Sequence, residues 1–207
     1  MNQCCSQMAS KDRIARLKEE TRNNILEAAL QIVKCEGWQS LSMRKIADKI
    51  EYTAPIIYEY FANKDAILLE LTRQGYLLLA KELKKARHNH ESPAEQLEAM
   101  WIEYWNFAFE NKELYQVMFG VSTSCSCEKV NELPESELPW ELFSAVIAEL
   151  MQIEDLESDV VCRYYYTFWS VVHGLVSINI LGRSSSDDIN RQVLRNAITG
   201  IIRFITP

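Results

Sequence analysis

Apolar positions recur at three- and four-residue steps from the first third of the chain onward. Ile14, Leu17, Thr21, Ile25, Ala28, Ala29, Ile32 and Val33 share one face, which predicts a helix over 11–36. Residues 1–10 lack that pattern and read as a disordered tail. Gly37 is placed to stop the helix, and Trp38 and Leu41 anchor the connection that follows. Ser42 is a natural N-cap for a short second helix whose Met43, Ile46, Ala47 and Ile50 face one way. A brief turn at Glu51-Tyr52 leads to a second cap at Thr53. Pro55 then lies in the first turn of a third helix, where its missing N–H costs little. Ile57, Tyr58 and Phe61 follow, and Asn63 can cap a long fourth helix reaching to about 87.

The remainder repeats the helical period. It predicts helices at about 94–109, 112–119, 138–152, 157–182 and 187–205, with a polar, Pro-containing loop over 121–137. Strand-type alternation is absent, so the fold class is all-α. Three organisational parts are expected: the tail 1–10, a head over 11–65 and a larger helical body over 66–207. The recognition segment of the head is about 54–60.

Composition narrows the function classes. The chain has 207 residues with only 6 Gly and 5 Pro, which argues against Gly-rich phosphate loops and strand-and-turn folds. Net charge is −7, so the chain as a whole is not a basic nucleic-acid binder. The charge is uneven: residues 1–65 carry +1 and residues 66–207 carry −8, which points to two parts with different partners. The start lacks the apolar core of a signal peptide, and no run is long enough to span a bilayer. A cytoplasmic protein without membrane contact is therefore expected. Reduced thiols follow for the 6 cysteines. Cys125 and Cys127 are the tight pair outside the tail. A redox or metal role for them stays open beside the plainer reading of two incidental loop thiols.

The two short helices and their turn have the dimensions of a helix-turn-helix, whose second helix enters the DNA major groove. Local chemistry agrees. Lys64 stands in the first turn of the fourth helix, where a cation is disfavoured by up to ~1 kcal/mol. Beside unpaired backbone N–H groups it suits an external anion such as a phosphate, unless it is simply a solvated Lys offset by Asp65. Thr53, Ala54 and Pro55 are small enough to let the third helix approach base edges. Tyr58 and Tyr60 can donate phenol hydrogen bonds to phosphates, and Arg44 and Lys45 extend a basic rim.

The ordered set Thr21-Arg22, Ile25-Leu26-Glu27-Ala28-Ala29, Gly37-Trp38, Met43-Arg44-Lys45-Ile46-Ala47, Tyr58-Glu59-Tyr60-Phe61 and Asn63-Lys64-Asp65 resembles the DNA-binding domain of the TetR family of transcriptional regulators. One departure stands out: the family often has Gly in the turn, where this chain has Glu51. An L-residue in a left-handed turn costs about 1 kcal/mol. The resemblance implies a homodimeric, ligand-responsive regulator, usually a repressor, that binds a palindromic operator on double-stranded DNA. It maps Arg44, Thr53, Ala54, Pro55, Tyr58, Tyr60 and Lys64 to DNA-facing positions. Trp169, His173 and Gly174 further resemble members with a Trp-His-Gly signature.

Aromatic residues crowd the body: 14 of 21 lie between Trp101 and Trp169. Most fill a core, yet aromatics with a few polar groups also line apolar ligand cavities. Trp101, Tyr104, Trp105, Met118, Phe119, Tyr165, Trp169 and His173 are the candidates for a small apolar or aromatic ligand. His173 reads more readily as a hydrogen-bonded core histidine, the commoner fate. The last two helices carry Val160, Val161, Val171, Val172, Leu175 and Ile178, then Val193, Leu194, Ile198, Ile201, Ile202 and Ile205. That surplus predicts a four-helix homodimer interface. No catalytic motif, metal set or cofactor fingerprint is present, so an enzyme is not expected. The competing reading is a helical ligand-binding or interaction dimer without DNA binding.

Overall fold

A computed structural model describes residues 2–120, 133–183 and 185–206, with 2–10 through their backbone course alone. Cys125 and Cys127 lie outside the described residues. All regular structure among the described residues is helical. The chain divides into two compact units, Met1–Leu71 and Thr72–Pro207, so the division falls inside the fourth helix, beyond the expected break at 65/66.

In the first unit, α1 spans Asn2–Glu36 and is longer than the apolar pattern indicated. Residues 2–10 hold neither Gly nor Pro, so nothing local stops the helix. The buried stripe also begins later than expected. Ile14 and Leu17 are each 52% exposed, and the core starts at Ile25, Leu26, Ala28 and Ala29. Gly37 ends α1 at φ 81, a left-handed conformation that side chains resist, and its N–H closes on the Val33 carbonyl at 2.8 Å. A single turn at Trp38–Ser40 buries Trp38, and Leu41 follows it into the core. Helix α2 (Met43–Lys49) is capped by Ser42, whose Oγ accepts from the Lys45 N–H at 3.3 Å. Helix α3 spans Ala54–Tyr60 and buries Ile57, with Phe61 behind it. Helix α4 (Lys64–His88) starts at Asn63, whose Oδ1 accepts from the Ala66 N–H at 2.9 Å.

The second unit is built around α5 (Pro93–Glu110), against which α6 (Lys112–Phe119), α7 (Leu138–Met151), α8 (Asp159–Ile180) and α9 (Asp187–Ile205) all pack. Serines cap three of these helices. Ser92, Ser158 and Ser186 each place Oγ 3.3–3.4 Å from the backbone N–H three residues on. Pro134–Glu137 forms a tight turn leading into α7, inside the stretch read as loop. Six of the apolar residues counted as dimer surplus belong instead to this core. Val161, Val172, Leu194, Ile198, Ile202 and Ile205 are all buried, because α8 and α9 also close over α5. The exposed apolar side chains on these helices include Tyr166, Val171, Ile178, Ile189, Val193 and Phe204, with Leu181 just past α8.

Candidate functional site

The head presents one face made by α2, the turn and α3. Thr53, Pro55 and Tyr58 are exposed there, Tyr58 by 54%, while Ala54 and Tyr60 are half-buried. Thr53 begins α3 without making the side-chain cap expected of it, which leaves its hydroxyl available. Arg44 and Lys45 are exposed at the start of α2. Lys45 is tied to Glu36 at 2.6 Å, so the carboxylate offsets part of the basic rim. Glu51 occupies the turn at φ 60, the left-handed conformation where glycine would be unstrained.

Lys64 has a use that the sequence did not reveal. Its Nζ donates to the Trp38 carbonyl at 3.2 Å, pinning the loop after α1 to the start of α4. The remaining ammonium protons are what it can offer an external anion. Arg22, quoted above only as part of a pattern, is a further tie. Its guanidinium pairs with Glu70 at 2.9 Å and lies 4.7 Å from the centre of the Phe61 ring. Planar charge over an aromatic ring has no linear signature, so its role emerges only in three dimensions.

In the second unit, Trp101, Tyr104, Trp105 and Met118 are buried, and Phe119, Tyr165, Trp169 and His173 are half-buried. Trp101 stacks on Phe143 with ring centres 3.8 Å apart and meets Tyr104 edge-on at 5.7 Å. His173 stacks on Trp169 at 4.9 Å and meets the edge of Phe119 at 5.2 Å. A polar chain runs through this aromatic cluster. The Trp169 indole N–H donates to Tyr104 Oη at 3.1 Å. Tyr104 Oη lies 3.2 Å from Tyr115 Oη and 3.3 Å from His173 Nδ1. Tyr115 Oη is hydrogen-bonded to the same Nδ1. Tyr115, which spacing did not single out, is therefore as central as His173. It sits on α6 and meets Tyr104 of α5 only through tertiary packing.

Burial sets the ionisation of these groups. It holds the Tyr104, Tyr115 and Tyr165 phenols well above their ordinary range, and pushes Tyr76 up to about 12, with Glu137 adding to the effect. Burial lowers His173, so its ring is neutral at physiological pH. Among the described residues, Trp101 Nε1 and Ser144 Oγ are buried without a hydrogen-bond partner. A separate cleft of about 280 Å³ is lined by Trp105, Asn106, Phe109, Glu110, Asn179, Asp187 and Arg191. Trp105 is the one sequence-predicted ligand residue on its wall. Among the described residues no cluster of His, Cys, Asp and Glu is arranged to hold a metal ion, and no helix is long and apolar enough to cross a membrane.

Comparison with known proteins agrees with this architecture. Residues 25–71 match the family of bacterial regulatory proteins of the TetR type, and residues 97–199 match a tetracyclin repressor-like C-terminal domain that includes Trp169, His173 and Gly174. An uncharacterized HTH-type transcriptional regulator of Haemophilus influenzae is 31% identical over 45% of this chain and 50% of its own length. The repressor NicS of Pseudomonas putida is 22% identical over 50% of this chain and 49% of its own. The chain thus spans about half the length of the curated relatives it matches. Among solved structures, a protein of unknown function from Rhodococcus sp. RHA1 superposes with a TM-score of 0.75 at 20% identity, covering 90% of this chain and 95% of that one. The regulator FadR of Bacillus subtilis, in complex with stearoyl-CoA, gives 0.68 at 18% identity, covering 86% and 97%. With both its head and its helical body matched, the chain belongs to the TetR family of bacterial regulatory proteins.

Proposed function

We propose that this protein is a DNA-binding transcriptional regulator that reads a palindromic operator as a homodimer and is released from it by a small ligand bound in the second unit. The observation that carries this is the exposed face of α2 and α3. Thr53, Pro55 and Tyr58 stand clear of the core, while Ile57 and Phe61 hold the helix from behind. In this reading Thr53, Ala54 and Pro55 contact base edges, and Arg44, Lys45, Tyr58, Tyr60 and Lys64 contact phosphates. Exposed Val171, Ile178, Ile189, Val193 and Phe204 on α8 and α9 form the surface for the second copy. The aromatic cluster around Tyr104, Tyr115, Trp169 and His173 receives the ligand. The FadR neighbour, held with stearoyl-CoA, supports the idea that this fold accommodates a ligand. No catalytic step is assigned.

Repression is the sign of regulation we assign. One relative is named a repressor (NicS) and another an activator (FasR of Mycolicibacterium smegmatis), so a reporter assay reads that sign directly. The wider test is selection of duplex fragments from a random pool, followed by titration of the selected site. An enriched inverted repeat is expected, with affinity falling steeply as salt rises. A pool that enriches nothing overturns the reading in favour of a ligand-binding dimer without DNA binding. Tyr58→Ala should weaken binding to every sequence, whereas Thr53→Ala should change which sequence is preferred.

A further inference from the structure

The polar chain in the second unit is satisfied only while His173 Nδ1 carries no proton. The indole N–H of Trp169 is a donor only, so Tyr104 Oη accepts from it. Both phenols are neutral, so each still has one proton to place. If His173 Nδ1 is unprotonated, Tyr104 donates to Tyr115 and Tyr115 donates to Nδ1, and every proton finds an acceptor. If Nδ1 carries a proton, the three remaining protons share two phenol oxygens. One buried phenol proton then has no acceptor in the chain, and its uncompensated desolvation disfavours that state. A neutral imidazole with a bare Nδ1 must carry its proton on Nε2, and among the described residues the hydrogen bonds of the ring are all made at Nδ1. His173 is half-buried, framed by Trp169 and Phe119.

A second unpartnered group in the same cluster is also a donor. The Trp101 indole N–H is buried and has no acceptor among the described residues, and its ring meets the Tyr104 ring edge-on. The open hydrogen-bonding capacity of the cluster is therefore rich in donors, set among aromatic faces. We infer that His173 Nε2–H is the selecting group of the ligand site, and that the ligand is an apolar or aromatic molecule bearing a carbonyl-type oxygen. This rests on the ligand site proposed above. Tyr115 and Tyr104 act as positioning residues that fix the imidazole tautomer, and a ligand with only donor groups, such as an amine cation, is disfavoured at this point.

Two measurements on the full-length protein test the inference without DNA. Long-range proton–nitrogen NMR of histidine side chains, with His173 assigned by its loss in His173→Phe, should show a pyridine-type Nδ1 and a protonated Nε2. Tyr115→Phe should allow a mixture of tautomers. Titration calorimetry then compares methyl naphthyl ketone with isopropenylnaphthalene, which has the same shape with a methylene in place of the oxygen. The ketone should bind about five-fold more tightly. That preference should vanish in His173→Phe and shrink in Tyr115→Phe. A protonated Nδ1 in the wild type, equal affinity for the two probes, or no binding of either overturns the inference. A protein that binds the ketone selectively but no operator would refute the regulator reading and leave this one standing.

Discussion

His173 shows how a single group ties packing to pH. Its pKa is lowered from 6.5 by burial, so the unfolded chain binds a proton more readily than the folded one. The stability it contributes is complete above pH 6.5 and is lost as pH falls through the lowered folded value. Protonating Nδ1 would also strand a phenol proton. Thermal unfolding followed from pH 7.5 to pH 5 should show a loss of stability that is smaller in His173→Gln, an amide that keeps a hydrogen-bond acceptor without titrating. A pH dependence unchanged by that substitution contradicts the assignment. On the proposed reading, Lys64 carries two loads at the same scale. Because its Nζ holds the Trp38 carbonyl, Lys64→Ala should lower stability by about 1 kcal/mol as well as weakening DNA affinity. Denaturant unfolding beside the binding titration separates the two effects. The chain's spacing showed an unusual cation at a helix start; only the folded loop from Gly37 to Leu41 showed what it holds.

Helices and turns were the most legible elements. The caps at Ser42 and Asn63 and the stop at Gly37, read from the sequence, fix helix ends through local backbone chemistry, as do the caps at Ser92, Ser158 and Ser186 that the structure adds. The start of α1 was not legible, since a polar helix has no periodicity to reveal it. Glu51 is strained in the turn between α2 and α3, and Glu51→Gly should raise stability by up to about 1 kcal/mol in denaturant unfolding. The opposite sign is expected at Gly75 on α4. A Cβ there would lie 2.5 Å from Met118 Sδ and 2.9 Å from its Cγ, because α4 and α6 approach closely at this point. Met118 is buried and has little room to move, so Gly75→Ala should cost about 1–3 kcal/mol. An unaltered melting temperature would show that the contact relaxes freely.

The whole molecule brings together two units with different chemistry: a near-neutral head with an exposed helix face, and an acidic body with an aromatic interior. Helix α4 begins in the first unit and continues into the second, so on the proposed reading it is the covalent path between ligand site and reading face. On the proposed reading, two linked heads on one operator gain from avidity. Ile178→Glu combined with Val193→Glu should give a monomer by sedimentation velocity and an operator affinity lower by about a hundred-fold or more. A variant that stays dimeric would place the interface elsewhere. These two positions are chosen because they are exposed in the single chain. The buried valines and isoleucines beside them would report on folding instead.

By itself the sequence determined the helical class, the element order and the three-helix head, because these follow from periodicity, capping and turn chemistry within a few residues. Tertiary structure decided which apolar positions of α8 and α9 are core and which are surface, since a helix with two apolar faces does not say which neighbour claims each. It also decided the Tyr104–Tyr115–His173–Trp169 chain, whose members come from three helices up to 69 residues apart. Hydrogen-bond partners at that separation are chosen by packing, which local spacing does not encode.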